Sequence, residues 1–464
     1  MAETWIINGV LFTQDKNRRA LRANLQIVDG RIAAITTKAP NKKKKGVTIL
    51  DAKGLTILPG FVQAHIHLCQ TLFRNQADDM ELLDWLSKRI WVYEAAHTEE
   101  TLYTSAMMGI HELLSSGTTC ILDMGTVRHT ESIFEAVRES GIRASVGKCL
   151  MDHPETTPEG LREPTRDAIA EARMLFEKWN GRENDRIRVS YAPRFVISCT
   201  EKLLTEVARL AREQNAVIHT HASENLKEIE MVKKLVQCEN VEYLHQLGMT
   251  SNRLVLAHCI WLKPNEKKIL ETTGTHVVHC PCSNMKLASG FAHVPDLLKR
   301  GINVALGADG APCNNTLNIF QEMRMAALIH KPGTGPMAMR AQEVLDMATL
   351  GGAKALGWQD DIGSIEVGKK ADLVALNLQT IRNTIPAGQE TNPEAIASSV
   401  VYSTMPSEVQ WTMVDGNLVF KDGKVTNIPE GRLLKRIIEA QKYIAQSTSK
   451  STGKGAKKNS RPNR

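Results

Sequence analysis

The strongest constraint on this chain is a repeated texture. From about residue 57 to residue 309, an apolar run is followed by a loop and an amphipathic helix, eight times over. The candidate strands lie at 57–67, 118–125, 142–152, 187–195, 216–224, 253–261, 275–284 and 302–309. Between them the apolar residues recur every three or four positions, as in Leu203, Leu204, Val207, Leu210 and Ala211 on one helical face. Continuous apolar strands alternating with helices indicate parallel pairing buried on both faces. Eight such units in roughly 300 residues fit an α/β fold of the (β/α)8 barrel type, whose usual size is ~250 residues or more.

The ends of the chain read differently. Segments 5–12, 25–30 and 31–35 are short strands punctuated by Asn8-Gly9 and Asp29-Gly30 turns, and the style returns at 371–376, 409–414 and 418–420. We therefore expect one small composite β domain from residues 1–58 and 363–430, a catalytic barrel over 59–362, and a C-terminal helix at 431–447. The last segment, 448–464, is rich in Ser, Gly, Lys and Asn and is expected to be disordered. It carries Lys450, Lys454, Lys457, Lys458, Arg461 and Arg464, which are six of the net +7. The body is then nearly neutral, so neither a nucleic-acid partner nor an RNA-binding arm is expected. The four-lysine run Lys42 to Lys45 reads as an exposed hairpin tip. No apolar run reaches the ~18–20 residues of a membrane-spanning helix, and the N-terminal residues lack a signal-peptide pattern. Nine scattered cysteines do not read as a disulfide framework, and a cytoplasmic setting is expected.

In such barrels chemistry sits at the C-terminal ends of the strands. Strand one ends in His65-Ile66-His67, strand five in His219-Thr220-His221-Ala222-Ser223-Glu224, strand six in His258-Cys259, and strand eight in Asp309-Gly310. Histidines two apart on a strand share a face, so His65 and His67 can hold one ion together. His221 and Asp309 supply an imidazole and a carboxylate from across the mouth. Three neutral nitrogens and one carboxylate leave an open position, as catalytic metal sites do. We assign His221 as the ligand and His219 as its strand-buried or supporting neighbour. Cys280-Pro281-Cys282, a thiol pair without partner cysteines, is read as packing, and Cys69 as lining the site without reacting.

Taken together, the segments 59–67, His221-Ala222-Ser223-Glu224, Ala257-His258-Cys259 and Gly307-Ala308-Asp309-Gly310 resemble the motifs of the amidohydrolase superfamily. More narrowly they resemble its purine and triazine aminohydrolase branch. That branch includes guanine deaminase and the S-adenosylhomocysteine, methylthioadenosine and 5′-deoxyadenosine deaminases. The likeness runs from about residue 5 to residue 425. It implies a barrel plus a β-sandwich from both termini, and one zinc ion, with iron the alternative. Strand four ends Ala192-Pro193-Arg194-Phe195, without the lysine that bridges two ions in binuclear members, and Lys148 sits on strand three instead. The resemblance implies Asp309 as the group taking a proton from the attacking water. It implies Glu224 as proton donor to the ring nitrogen beside the attacked carbon, and His258 as stabiliser of the tetrahedral centre. A donating Glu needs a raised pKa, which a closed apolar pocket gives.

The substrate reading divides. Gln70 and Arg194-Phe195 match positions by which guanine deaminases hold their base. An arginine fork, an amide and a stacking ring suit a purine chemically. The competing reading of Arg194 is an ion pair with a neighbouring carboxylate. The segments 77–86 and 309–315 look more like the adenosine-type deaminases, in which a Glu at the position of Glu94 can bind ribose hydroxyls, although guanine deaminases also carry a Glu there. Trp85 is a further candidate substrate contact, although Trp85 and Trp91 equally suit the core of a short helical lid. Sequence thus leans to a metal-dependent deaminase of a guanine-like base, with a 5′-modified adenosine as the alternative. A triazine chlorohydrolase and a non-catalytic scaffold are more distant. The expected partner is a small aminated N-heterocycle, and the resemblance implies a homodimer or larger homo-oligomer.

Overall fold

A computed structural model describes residues 2–38, 40 and 46–456, with the backbone alone over 450–456. The lysine run at 42–45 and the basic residues from 457 onward lie outside the described residues. Eight strands form one sheet in chain order: β1 (Phe61–Ile66), β2 (Thr118–Met124), β3 (Arg143–Leu150), β4 (Ile187–Pro193), β5 (Ile218–Ala222), β6 (Leu254–His258), β7 (His276–His279) and β8 (Val304–Leu306). Every neighbouring pair is parallel. The sheet closes on itself through a parallel bridge between Ile66 and Asp309, with Asp309 N–H donating to His65 O at 3.1 Å. Closure demands a residue without a side chain beside β1. A Cβ on Gly307 would sit 2.7 Å from His65 O and 2.9 Å from His65 N, closer than atoms pack.

Helices cover the outside. Glu99–Ser115, Glu131–Ser140, Thr165–Trp179 and Glu201–Gln214 follow β1 to β4, each burying one apolar stripe. The seventh strand is shorter than its apolar run. It ends at His279, and a helix over Pro281–Lys286 begins with proline at its first position, where the missing N–H costs nothing. Cys280 is buried at that junction, and all nine cysteines are free.

Two further sheets come from the chain ends. In the seven-stranded one, Thr56–Pro59 lies between Val10–Phe12, which runs parallel to it, and Leu373–Leu376, which runs antiparallel. The four-stranded sheet has Glu3–Ile7 beside Asn24–Val28 and Val47–Asp51. Ile6, Leu25 and Ile27 from the second sheet pack with Leu11, Ile57, Leu373 and Trp411 from the first, forming a core separate from the barrel's. The last helix spans Glu430–Ala456, so the segment 448–456 continues the helix beyond its expected end. Ala440 and Ile444 of that helix pack on Leu72 and Phe73, in the turn that follows β1.

A buried ion pair joins barrel to flanking sheet. Arg143 of β3 donates from Nε and Nη2 to the Asp372 carboxylate at 2.7 and 2.9 Å, and its side chain is wholly buried. Removing one partner strands a charge in the interior, which costs about 3–5 kcal/mol, whereas removing both does not. Arg143→Met is therefore expected to lower the urea unfolding midpoint markedly. Arg143→Met with Asp372→Asn should recover more than half of the loss.

Candidate metal centre and active site

Barrel closure brings β1, β5 and β8 to one point. Ligand atoms of His65, His67, His221 and Asp309 all lie within 4.8 Å of one another, and all four residues are buried. Asp309 Oδ1 is 3.2 Å from His65 Nε2 and 3.3 Å from His67 Nε2. Each imidazole is aimed by its other nitrogen. His67 Nδ1–H donates to Met124 O at 2.9 Å, His221 Nδ1–H donates to Arg194 O at 2.8 Å, and His65 Nδ1 meets His219 Nε2 at 2.8 Å. His219 lies buried behind His65 and outside the four-residue cluster.

The donor set suits a cation. With their Nδ1–H groups committed, His67 Nε2 and His221 Nε2 are both bare acceptors, yet they stand 3.3 Å apart. His65 Nε2 has no hydrogen-bond partner although it is buried. Lone pairs crowded beside a carboxylate are reconciled by a divalent ion between them. Burial pushes the His67 imidazole down to about 3, helped by the charges of His65 and Arg194, and holds His221 well below its usual value, so both present the neutral form that binds metal. Burial alone would raise the Asp309 carboxyl. The adjacent His65, with the charges of His258 and His67, instead holds it well below the usual carboxylate range. The four residues thus form a group that could hold a divalent metal ion.

Two more groups face the cluster. His258 Nε2 lies 3.5 Å from Glu224 Oε2 and 3.8 Å from Asp309 Oδ2. Its Nδ1 is 2.8 Å from Asn284 Oδ1. Glu224 is fully buried, and burial lifts its carboxyl to about 7, with the Asp309 charge adding to the rise and His258 opposing it. At the strand ends Ser223, His258, Cys259 and Asp309 adopt φ of 52°, 72°, 50° and 62°. Left-handed backbone at a residue with a side chain stores strain of order 1–3 kcal/mol, and such strain collects at functional sites.

Three supporting residues carry no motif that sequence reading could have used. Asn284 aims His258, Ser283 Oγ donates to Asp309 Oδ2 at 2.6 Å, and Ser289 Oγ donates to Glu224 Oε1 at 3.4 Å. All three belong to the helix and loop after β7, where only the short strand hints at a turn toward the mouth. Lys148 faces away from the metal group. It pairs with Glu163 and Glu171 at 2.9 Å each.

The expected base-holding residues sit beside the metal cluster but hold each other. Arg194 is bonded to Glu94 through both terminal nitrogens, at 2.5 and 3.2 Å, and Gln70 Nε2 donates to Glu94 at 2.9 Å. The ion-pair reading of Arg194 is the one realised. Phe195 stacks on His221, ring centroids 4.4 Å apart. Trp85 is buried with Leu82, Leu86 and Ile90 in the main core.

The sequence profile of the amidohydrolase family matches residues 56–419. A 5′-deoxyadenosine deaminase of Methanobrevibacter smithii is 37% identical over 446 residues, covering 96% of this chain and 99% of its own length. A 5-methylthioadenosine/S-adenosylhomocysteine deaminase of Syntrophobacter fumaroxidans is 36% identical over 452 residues, covering 96% and 98%. Among solved structures, a zinc-bound adenosine deaminase of Xanthomonas campestris matches with a TM-score of 0.88 at 28% identity, covering 96% of this chain and 98% of that one. With its closed barrel, its terminal sheets and its histidine–aspartate cluster, this chain belongs to the amidohydrolase family.

Proposed function

We propose that this protein is a metal-dependent hydrolytic deaminase. It replaces the exocyclic amine of a 5′-modified adenosine, such as 5′-deoxyadenosine or methylthioadenosine, by oxygen and releases ammonia. The observation that carries the reading is the buried Glu224, whose carboxyl keeps its proton up to about pH 7, facing His258 and Asp309 over the metal group. A proton donor, proton acceptors and a Lewis-acid site around one point are what addition of water to an electron-poor ring carbon requires.

His65, His67, His221 and Asp309 would hold a divalent ion, zinc by analogy with the Xanthomonas neighbour, and such an ion would bring the pKa of a water down toward neutrality. The ionised Asp309 and the Nε2 of His258 accept the proton that the attacking water loses. Glu224 donates its proton to the ring nitrogen beside the attacked carbon, so the incoming negative charge ends on a neutral N–H. The proton held by the Asp309–His258 pair then passes to the amine, which leaves as ammonia. The hydroxyl left on the ring carbon returns its proton to Glu224 as the C=O forms. Atoms balance, and every side chain ends as it began.

The nucleoside reading displaces the lean to a guanine-like base for two reasons. The relatives that match nearly the whole chain carry nucleoside-deaminase names. The Arg194 fork that would grip a lactam carbonyl is committed to Glu94.

Ammonia release from metal-loaded protein should be robust with 5′-deoxyadenosine and methylthioadenosine and negligible with guanine; turnover of guanine alone defeats the reading. Because the donor is the protonated carboxyl, kcat/KM should decline as pH rises through about 7, and Glu224→Gln should cost about 10²–10⁴-fold. By elemental analysis, His221→Ala should lose its ion, whereas His258→Ala should retain about one per chain.

A further inference from the structure

Glu228 is a buried acid with no part in the proton transfers above. It lies in the first turn of the helix Leu226–Val236, four residues after the proton donor Glu224. Glu228 Oε2 accepts from the Glu224 backbone N–H at 3.0 Å, and Glu228 Oε1 accepts from Asn240 Nδ2. Asn225 caps the same helix, its side chain accepting from Lys227 N–H at 2.9 Å. A glutamate at the third helical position commonly reaches back to the cap residue. Here the bond goes one residue further, to the donor itself.

The peptide group between Ser223 and Glu224 is thereby pinned at both ends. Its oxygen, Ser223 O, accepts from Ile260 and Trp261 N–H at 2.9 and 3.0 Å, and its N–H is taken by Glu228. The group is planar, so its orientation sets the direction in which the Glu224 side chain leaves the backbone. Ser223 is held in left-handed backbone, φ 52°, a conformation that lasts only while its surroundings fix it. The carboxyl itself has little to hold it. Ser289 Oγ reaches Glu224 Oε1 at 3.4 Å, beyond the usual range for such a bond, and His258 Nε2 stands 3.5 Å from Oε2.

We propose that Glu228 is a positioning residue for the proton donor: by holding the Glu224 N–H it fixes the peptide plane that aims the Glu224 carboxyl at the substrate's ring nitrogen. This rests on the deaminase reading above. The contact works through hydrogen bonding rather than charge. The groups acting on Glu228 are acidic or neutral, namely Glu224, Glu266 and Asn240, and burial with the Glu224 charge lifts its carboxyl to about 8. At neutral pH it is mostly protonated, so a glutamine matches it in charge as well as shape. Asn240 Oδ1 is buried without a hydrogen-bond partner, so that amide can turn and present its oxygen to a glutamine N–H.

The test measures deamination of 5′-deoxyadenosine by metal-loaded variants, with metal content and thermal unfolding followed alongside. Glu228→Gln keeps an oxygen for the Glu224 N–H and should stay within about 3-fold of wild type in kcat. Glu228→Leu fills similar space without an acceptor. Its kcat should fall by about 10²-fold, with KM changed less than about 3-fold and the ion retained. Placed on top of Glu224→Gln, Glu228→Leu should cost less than about 3-fold more, since residues acting through one group are not additive. If Glu228→Leu does not fold, Glu228→Asp replaces it; the acid one carbon shorter falls short of the Glu224 N–H and should lose about 10-fold in kcat. Wild-type kcat in Glu228→Leu or its replacement, an equal loss in Glu228→Gln, or a full further loss on top of Glu224→Gln overturns the proposal. Absence of ammonia with wild-type enzyme defeats the deaminase reading itself, a result distinct from these.

Discussion

Everything at the centre of this protein depends on the sheet closing between β8 and β1. His65 and His67 arrive on β1, His221 on β5, and Asp309 directly after β8. In an open sheet β1 and β8 would be opposite edges, seven strand spacings of nearly 5 Å apart. The Ile66–Asp309 bridge and the Asp309 N–H bond to His65 O remove that distance and set the carboxylate against the two imidazoles. The packing that allows this is local, because Gly307 is the only residue type that fits against the His65 backbone. Fold closure and ligand geometry are here one constraint.

Closure also explains the strain and the burial. Once the strand ends converge, the chain must turn sharply out of the sheet while each side chain stays aimed inward. Ser223, His258 and Asp309 meet that demand with left-handed backbone. Ser283 on Asp309, Asn284 on His258 and the Met124 and Arg194 carbonyls on His67 and His221 keep those side chains aimed. The same crowding that removes water lifts the Glu224 carboxyl to about 7 while the ligand histidines stay neutral. One buried environment therefore yields an acid that still holds its proton and imidazoles that stay neutral.

The barrel was legible in the sequence because its signal is repeated eight times, and errors at single boundaries do not change the count. The four residues that cluster at the barrel mouth were legible because strand-end position and a two-residue spacing are linear properties. Boundaries failed where a side chain's environment overrides its apolar character. The run 275–284 reads as strand, yet Pro281 starts a helix and β7 stops at His279. The helix Glu430–Ala456 outruns a reading based on composition, since Ser and Gly lower helix propensity only weakly against a helix already propagating. Asn284, Ser283 and Ser289 were invisible for another reason: their role exists only through partners from strands six and eight and from the loop after strand five.

Arg194 shows where linear reading reaches its physical limit. A buried guanidinium must be compensated, and sequence can state that requirement without naming the compensating group. With an empty fork Arg194 would be a ready grip for a lactam or carboxylate substrate. With Glu94 one hundred positions earlier in the chain already in the fork, the same arginine becomes part of a neutral pair. The difference decides what the pocket can select. A free cation would favour an anionic or strongly polar ligand edge, whereas a neutral pair makes no such demand. How that second buried charge is paired is a property of the folded barrel mouth rather than of any motif.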